Sequence, residues 1–275
     1  KMPWIGNILG EGSRVHPGMP FAETSFGEQY IETPSTEKIG NLVSVTKETI
    51  FFDRTGQVMR IAGSLGERLR TGQNKDILDV IMGVGPATSA FKWKGVSYST
   101  YLTAGAFWSN SITGNELVDW TNVETAELLF SRMLDPDTNN PIDILPTTIL
   151  VPPAKKHTAR RIVNATEIRS NQLATTPNMQ TISVNTLDNY QIVSSPWIYQ
   201  RLVNSGLSAA AANSTWFIGD FKKAFVWMEN YPLTVVPAPP NSTAEFERDI
   251  VARWKASYRG VAGVQDPRFV VKCAA

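Results

Sequence analysis

A single cysteine, Cys273, and only two histidines, His16 and His157, set the first limits on this chain. One cysteine excludes an internal disulfide and fits a reducing compartment. A zinc centre needs clustered Cys and His, and the sequence has no such cluster. Charge of one sign is lacking too. Lys and Arg number 26 against 25 Asp and Glu, a net +1, so nothing draws the whole chain toward nucleic acid or membrane. The densest basic group, Lys155, Lys156, His157, Arg160 and Arg161, has helical spacing and reads as a solvated helix face, not a phosphate track. No apolar run approaches the roughly 20 residues of a membrane span, and no signal-peptide layout is present. What is there is 42% hydrophobic residues in a chain of 275, enough for a real core and one or two domains.

Motifs for chemistry fail one after another. Ala62-Gly63-Ser64-Leu65-Gly66 imitates a nucleophile elbow, but it lies in a helical pattern, whereas the motif needs a strand-turn-helix. Asp135, Asp137 and Asn139 open like a calcium loop. Asn140 then stands where Gly is needed and Pro146 where the closing Glu is needed, so the segment reads as a turn. Gly83-Val84-Gly85 lacks the third Gly and the Lys of a phosphate loop. The sequons at Asn164, Asn213 and Asn241 read as chance matches without a secretory signal. The aromatics Phe91, Trp93, Tyr98, Tyr101, Phe107 and Trp108 suggest a carbohydrate platform or, preferably, irregular aromatic packing. No catalytic, metal-binding or cofactor-binding residue is expected.

The chain then divides by pattern. Residues 1–24 hold four glycines and three prolines with dispersed Trp4, Ile5, Ile8, Leu9, Val15 and Phe21. No period fits, and the stretch reads as an arm whose apolar side chains need a partner. Residues 25–53 read as a long hairpin, with strands at Glu28–Thr33 and Leu42–Phe52, which would be stable only when docked. Over 55–83, Val58, Ile61, Leu65, Leu69, Ile77, Leu78, Ile81 and Met82 step as a helix. Gly63, Gly66 and Gly72 in it predict close packing against another backbone or a bend near Thr71-Gly72. Asp119–Met133 reads as a second helix. Thr148–Val151 reads as a buried strand, and Pro152-Pro153 opens a helix to about Ala165. Thr181–Val184 and Tyr190–Val193 read as strands, and Trp197–Ala212 as helix or loop.

The C-terminal region is strand-rich. From Phe246 to Tyr258 the even positions Phe246, Ile250, Ala252, Trp254, Ala256 and Tyr258 are apolar apart from Arg248. The odd ones Glu247, Asp249, Arg253, Lys255 and, one step on, Arg259 carry most of the charge. That is the period of a strand with one wet face; the capping-box spacing of Ser242 and Glu245 makes a helix the second choice. Ala224–Met228 and Leu233–Val236 read as strands joined by a turn at Asn230-Tyr231-Pro232. Arg268–Lys272 reads as a last strand after a turn at Gln265-Asp266-Pro267.

Particular residues carry a family likeness. Gly219-Asp220-Phe221 leads into a strand, a long strand with one charged face ends at a basic residue, and Asp266-Pro267-Arg268-Phe269-Val270-Val271-Lys272 follows. Tyr101-Leu102-Thr103-Ala104-Gly105-Ala106 is a further match, as is the order Asn140-Pro141, Leu145-Pro146, Leu150-Val151-Pro152-Pro153, Ala159-Arg160. The sequence thereby resembles major capsid proteins of tailed bacteriophages with the HK97-like fold, nearest to Mu-like major head subunits. The resemblance implies an α+β architecture. Its parts are an N-terminal arm (1–24), an extended β-hairpin loop (25–53), a peripheral domain with the long spine helix (54–114 and 247–275) and an axial domain (115–246). It implies a structural protein that assembles into hexamers and pentamers of an icosahedral shell around double-stranded DNA, without sequence-specific binding. It also implies a place in the virion after assembly in the host cytoplasm, with portal, scaffold, maturation protease and decoration proteins as further partners. Removal of a scaffolding segment would account for a chain that starts at Lys1. Some relatives join an extended-loop Lys to an Asn of the peripheral strand. Lys38 could supply the first group, but Glu247–Arg259 contains no Asn, so no such crosslink is expected. Subunit contacts are expected at Trp4, Ile8, Tyr30, Glu37, Lys38, Arg248, Arg253, Lys255 and Arg259. The alternatives are an encapsulin-type compartment of the same fold and, more distant, a monomeric hydrolase or sugar-binding protein using Phe91–Trp108.

Overall fold

The alternating stretch near the C-terminus becomes β13 (Ile250–Val264) in a computed structural model. The structure describes residues 2–9, 14–16, 18–21, 23, 25–53, 56, 60, 63–89, 91–104, 108–135, 138–171, 180–185, 187, 190–239 and 248–274. Two units emerge, one of residues 34–78 and 227–263, the other of residues 1–33, 79–226 and 264–275. The end of the long helix and the last strand both group with residues 79–226.

In the first unit, β13 runs between β12 (Phe225–Pro237) and β3 (Glu37–Thr46) in a three-stranded sheet. The even-numbered residues Ala256 and Tyr258 are fully buried. They pack with Leu65 and Leu69 of α2 (Leu65–Met82), flanked by Ile39, Val43, Trp227, Leu233 and Trp254. Each large apolar side chain buried this way is worth roughly 1.5–3 kcal/mol, which fixes the register because a one-residue slip would turn the whole set outward. Gly260 lies under the Trp227 ring, 2.6 Å from where a Cβ would stand, so this strand position admits no side chain. The strand begins later than expected, at Ile250, after Asp249 in the left-handed region (φ 51°) and a register shift before Ala252. Positions 240–247, and with them Phe246, Glu247 and the Ser242–Glu245 spacing, lie outside the described residues.

Several expected elements are corrected. The hairpin of residues 25–53 does not close on itself. β2 (Ser25–Glu32) pairs antiparallel with β1 (Met2–Leu9), and β3 pairs antiparallel with β13. Part of the arm is therefore a sheet strand. The run Leu42–Phe52 stops being strand at Thr46, whose side chain caps α1 (Lys47–Phe52). The helix α2 continues unbroken through Thr71-Gly72. Gly66 meets the Val235 side chain, not a backbone, while Gly63 and Gly72 face open space. Phe225–Pro237 is one strand, with no turn at Asn230-Tyr231-Pro232.

The second unit is built on a five-stranded sheet in the order β10 (Gln191–Ser194), β7 (Thr148–Val151), β11 (Trp216–Gly219), β14 (Val270–Ala274), β6 (Ser111–Thr113). Every residue of β11 is buried, the mark of a central strand covered on both faces. The amphipathic α3 (Trp120–Phe130), capped reciprocally by Asp119 and Asn122, buries Val123, Ala126 and Phe130. The helix α4 (Lys156–Val163) buries Ala159, Ile162 and Val163 against β7 and β10. Around these lie β4 (Phe91–Trp93) and β5 (Val96–Tyr98), which extend the β1–β2 sheet. The hairpin β8 (Glu167–Asn171)–β9 (Gln180–Val184) and the helices α5 (Pro196–Asn204), α6 (Ala209–Ser214) and α7 (Phe221–Ala224) complete the unit.

Candidate assembly surface

The helix α1 has the sequence Lys-Glu-Thr-Ile-Phe-Phe and buries none of its six residues. A helix this short does not persist alone in water. Here it is started by Thr46, whose Oγ1 accepts from the Thr49 N–H at 3.3 Å, and tied to the residue just ahead of β13 by the Lys47 N–H donating to the Asp249 carbonyl at 2.9 Å. Local hydrogen bonds thus hold up a turn that carries Ile50, Phe51 and Phe52 at 37%, 82% and 76% exposure. The two phenyl rings meet edge to face at 5.4 Å, with most of their surface in solvent. Large apolar groups displayed on an ordered element mark a contact surface.

Beside α1, the face of the sheet opposite the packed Ala256–Tyr258 side is basic. Arg253, Lys255 and Arg259 of β13 stand across from Ser44, Leu42 and Lys38 of β3. Lys38 and Arg259 are thus like charges directly opposite one another, an unfavourable pairing within a single chain. The Arg259 Nε is directed to the Thr36 hydroxyl at 3.1 Å. The Arg253 Nε is buried without a hydrogen-bond partner among the described residues. Lys255, Lys38 and Glu37 are exposed, as is Arg248 just ahead of the strand. Five of the nine expected contact residues (Glu37, Lys38, Arg253, Lys255 and Arg259) therefore come together on β3 and β13. Tyr30 lies elsewhere, exposed near the end of β2, and Trp4 and Ile8 are positions of β1. The residues that sequence reasoning missed are Ile50, Phe51 and Phe52. It assigned them to a strand, and the signal that places them on a helix is the cap spacing from Thr46 to Thr49. In the second unit, Met19 and Phe21 of the arm are 65% and 86% exposed.

Among the described residues, neither the aromatic segment nor the cleft is arranged for catalysis. The aromatic segment is core, not platform: Phe91, Trp93 and Trp108 are buried, with Trp108 edge-on to Phe91 at 5.6 Å and to Tyr98 at 5.5 Å. A cleft of about 320 Å³ is lined by Glu127, Phe130, Ile142, Ile144, Leu145 and Tyr190, among others. Its polar pair is the Tyr190 hydroxyl donating to Glu127 at 2.5 Å. Burial first, and then that carboxylate, push the phenol well above its ordinary value, so it stays protonated and is not a base. Asp135 closes a turn, accepting from the Thr138 hydroxyl and the Asn139 N–H. Among the described residues no group of three or more His, Cys, Asp and Glu is placed to hold a metal, and no helix is long and apolar enough to cross a membrane. Ala62 of the imitation elbow lies outside the described residues.

Comparison with known proteins gives a consistent result. No curated protein sequence matches the chain. Among solved structures, the capsid of cyanophage Pam1 superposes with a TM-score of 0.61 at 13% identity, covering 99% of this chain and 83% of that one. The capsid of the native GTA particle gives 0.56 at 11% identity, with coverage of 99% and 83%. The capsid of cyanophage P-SCSP1u gives 0.54 at 13% identity, with 99% and 82%. These likenesses establish the HK97-like fold. Residues 30–273 match the family described as Phage capsid protein. Since that match takes in nearly the whole chain, it belongs to the phage capsid protein family, as a major capsid shell protein whose role is structural and not enzymatic.

Proposed function

We propose that this chain assembles as hexamers and pentamers into an icosahedral shell that encloses packaged double-stranded DNA in the virion. The observation that carries the proposal is the ordered but unburied α1, with Phe51 and Phe52 in water beside the basic face of β3 and β13. Large apolar groups held in solvent on an ordered element are complete only against a neighbour, here a second copy. The unit of residues 34–78 and 227–263 is proposed as the peripheral domain with its extended loop. The unit built on the five-stranded sheet is proposed as the axial domain, with the arm attached. The contact set is Trp4, Ile8, Tyr30, Glu37, Lys38, Arg248, Arg253, Lys255 and Arg259, joined by Ile50, Phe51 and Phe52. The motif Tyr101–Ala106 and the proline order from Asn140 to Pro153 support a kinship with Mu-like head subunits as part of this proposal. Assembly in the host cytoplasm, with portal, scaffold, maturation protease and decoration proteins, belongs to the same reading.

Negative-stain electron microscopy and sedimentation of the purified chain test it. Closed shells or capsomer rings are expected, and a lone monomer at high concentration would reject the proposal. Nucleic acid inside shells isolated from cells separates a phage head from an encapsulin-type compartment, which holds protein cargo. Intact-mass measurement of dissociated shells is expected to give single chains, because no Asn of β13 is available to Lys38.

A further inference from the structure

The basic cluster that reads as a solvated face in sequence acquires a specific geometry in α4. Ala159, Ile162 and Val163 point into the core. Lys156, half-buried, and the exposed His157, Arg160 and Arg161 occupy the other side. Lys155, just ahead of the helix, has an acid, Glu116, at 2.6 Å. No ion pair to Lys156, Arg160 or Arg161 is found among the described residues. Lys156 and Arg160 are four residues apart on the helix. Like charges at that spacing disfavour a helix, and a lysine in the first turn also opposes the helix dipole. The dipole favours Arg160 and Arg161 in the last turn but gives no reason for Lys156. In a chain of net charge +1, this concentration does not follow from general basicity.

A second copy is a poor complement for it. No described helix of this chain offers a matching row of acids: α1 has only Glu48, α2 has Glu67, Asp76 and Asp79, the last held by Arg201, and α3 has Glu124 and Glu127, the latter held by Tyr190. A polyanion with evenly spaced charges fits better. We propose that the Lys156–Arg160–Arg161 face of α4 contacts the phosphate backbone of the enclosed double-stranded DNA, without reading its sequence. The inference rests on the capsid reading. Phosphate contact alone is independent of sequence and strongly dependent on salt.

The test is binding of a random-sequence 30-base-pair duplex to the full-length chain in its dissociated state, by fluorescence anisotropy across a salt series, with sedimentation of the same proteins under assembly conditions. The variants are Lys156→Ala/Arg160→Ala/Arg161→Ala and, as a control on the sheet face, Lys255→Ala. Wild type and the control are expected to bind alike. The triple variant is expected to bind at least about tenfold more weakly at low salt, with a slope of log K against log salt shallower by about 2 to 3, one lost counterion contact per side chain. Unchanged binding by the triple variant, or no binding by the wild type, overturns the inference. Unchanged binding with lost assembly also overturns it and makes the face a contact between copies. If the wild type binds through α4 but forms no shell, the capsid reading fails while the DNA contact stands.

Discussion

Arg268 and Asp266 are separated by one proline, and both are enclosed. The guanidinium donates from Nε and Nη2 to the two carboxylate oxygens at 2.9 and 2.8 Å, with side chains 7% and 6% exposed. Asp266 also accepts from the Arg268 N–H at 3.0 Å, so one carboxylate both caps the short turn Pro267–Phe269 and neutralises the arginine. Removing one partner leaves a buried charge, and Arg268→Ala is expected to cost about 3–5 kcal/mol, read as a lower urea midpoint. The pair Asp266→Asn/Arg268→Met, which keeps a capping oxygen and leaves no charge, is expected to fall less than the single change. If it falls further, the ion pair itself is the stabilising element. Five residues after Arg268, Cys273 is fully buried in β14. Burial pushes its thiol up to about 12, against the hydrogen bond from Asn115, which acts downward. The thiolate is the reactive form, so folded protein at pH 8 is expected to resist alkylation by iodoacetamide and to react once unfolded. The sign for stability follows: the unfolded thiol ionises near 8.5 and the folded one does not. Between about pH 9 and 12 this group therefore disfavours the folded state increasingly, and Cys273→Ala is expected to flatten the alkaline loss measured by urea titration.

Elements differ in how far the sequence announces them. The strand β13 is legible because alternation and burial agree at Trp254, Ala256 and Tyr258. The helix α3 is legible because Asp119 caps an apolar stripe at Val123, Ala126 and Phe130. The hairpin expected at 25–53 illustrates what local pattern cannot supply. Both of its strands exist, but β2 pairs back with β1, which precedes the expected hairpin, and β3 pairs with β13 near the other end of the chain, and pairing of that kind is decided by the whole sheet. The long strand β12 was divided by Pro232, a residue that reads as a turn in sequence and is tolerated on the edge of a three-stranded sheet. Of the assembly surface, the charged face of β13 was legible and α1 was not, because six residues leave no room for a helical period. Gly219 shows a constraint that only the tertiary fold reveals. At φ 156° it ends β11 so close to β14 that a Cβ would stand 2.1 Å from the Phe269 carbonyl oxygen. Gly219→Ala must push backbone from backbone and is expected to lose about 3 kcal/mol by urea denaturation. A neutral effect would mean that the two strands are further apart than described.

For the whole molecule, stability and assembly are linked quantities. Whatever binds only the folded chain raises its apparent stability, by an amount that grows with the logarithm of its concentration once the site is occupied, and in a shell that ligand is the neighbouring copy. The groups that contribute must be those the single chain leaves in solvent. Phe51 and Phe52, at 82% and 76% exposure, add almost nothing to the folding of one copy, yet each could bring roughly 1.5–3 kcal/mol to a contact that buries it. Repeated at every interface of a closed array, such moderate contacts sum to a firm shell without any one site being strong. This separates the two roles by experiment. Phe51→Ser/Phe52→Ser is expected to leave the melting temperature of the dissociated chain within a degree or two of wild type. It is also expected to abolish the upward shift that wild type shows on assembly, and with it the fast-sedimenting species. The opposite pattern, a dissociated chain that melts early and a shell that forms as before, would assign the two rings to the chain's own core. Loss of both would make α1 part of the fold on which assembly depends. The surviving monomer is the informative case, because it shows a chain that folds by its packed sheets and is completed by its neighbours.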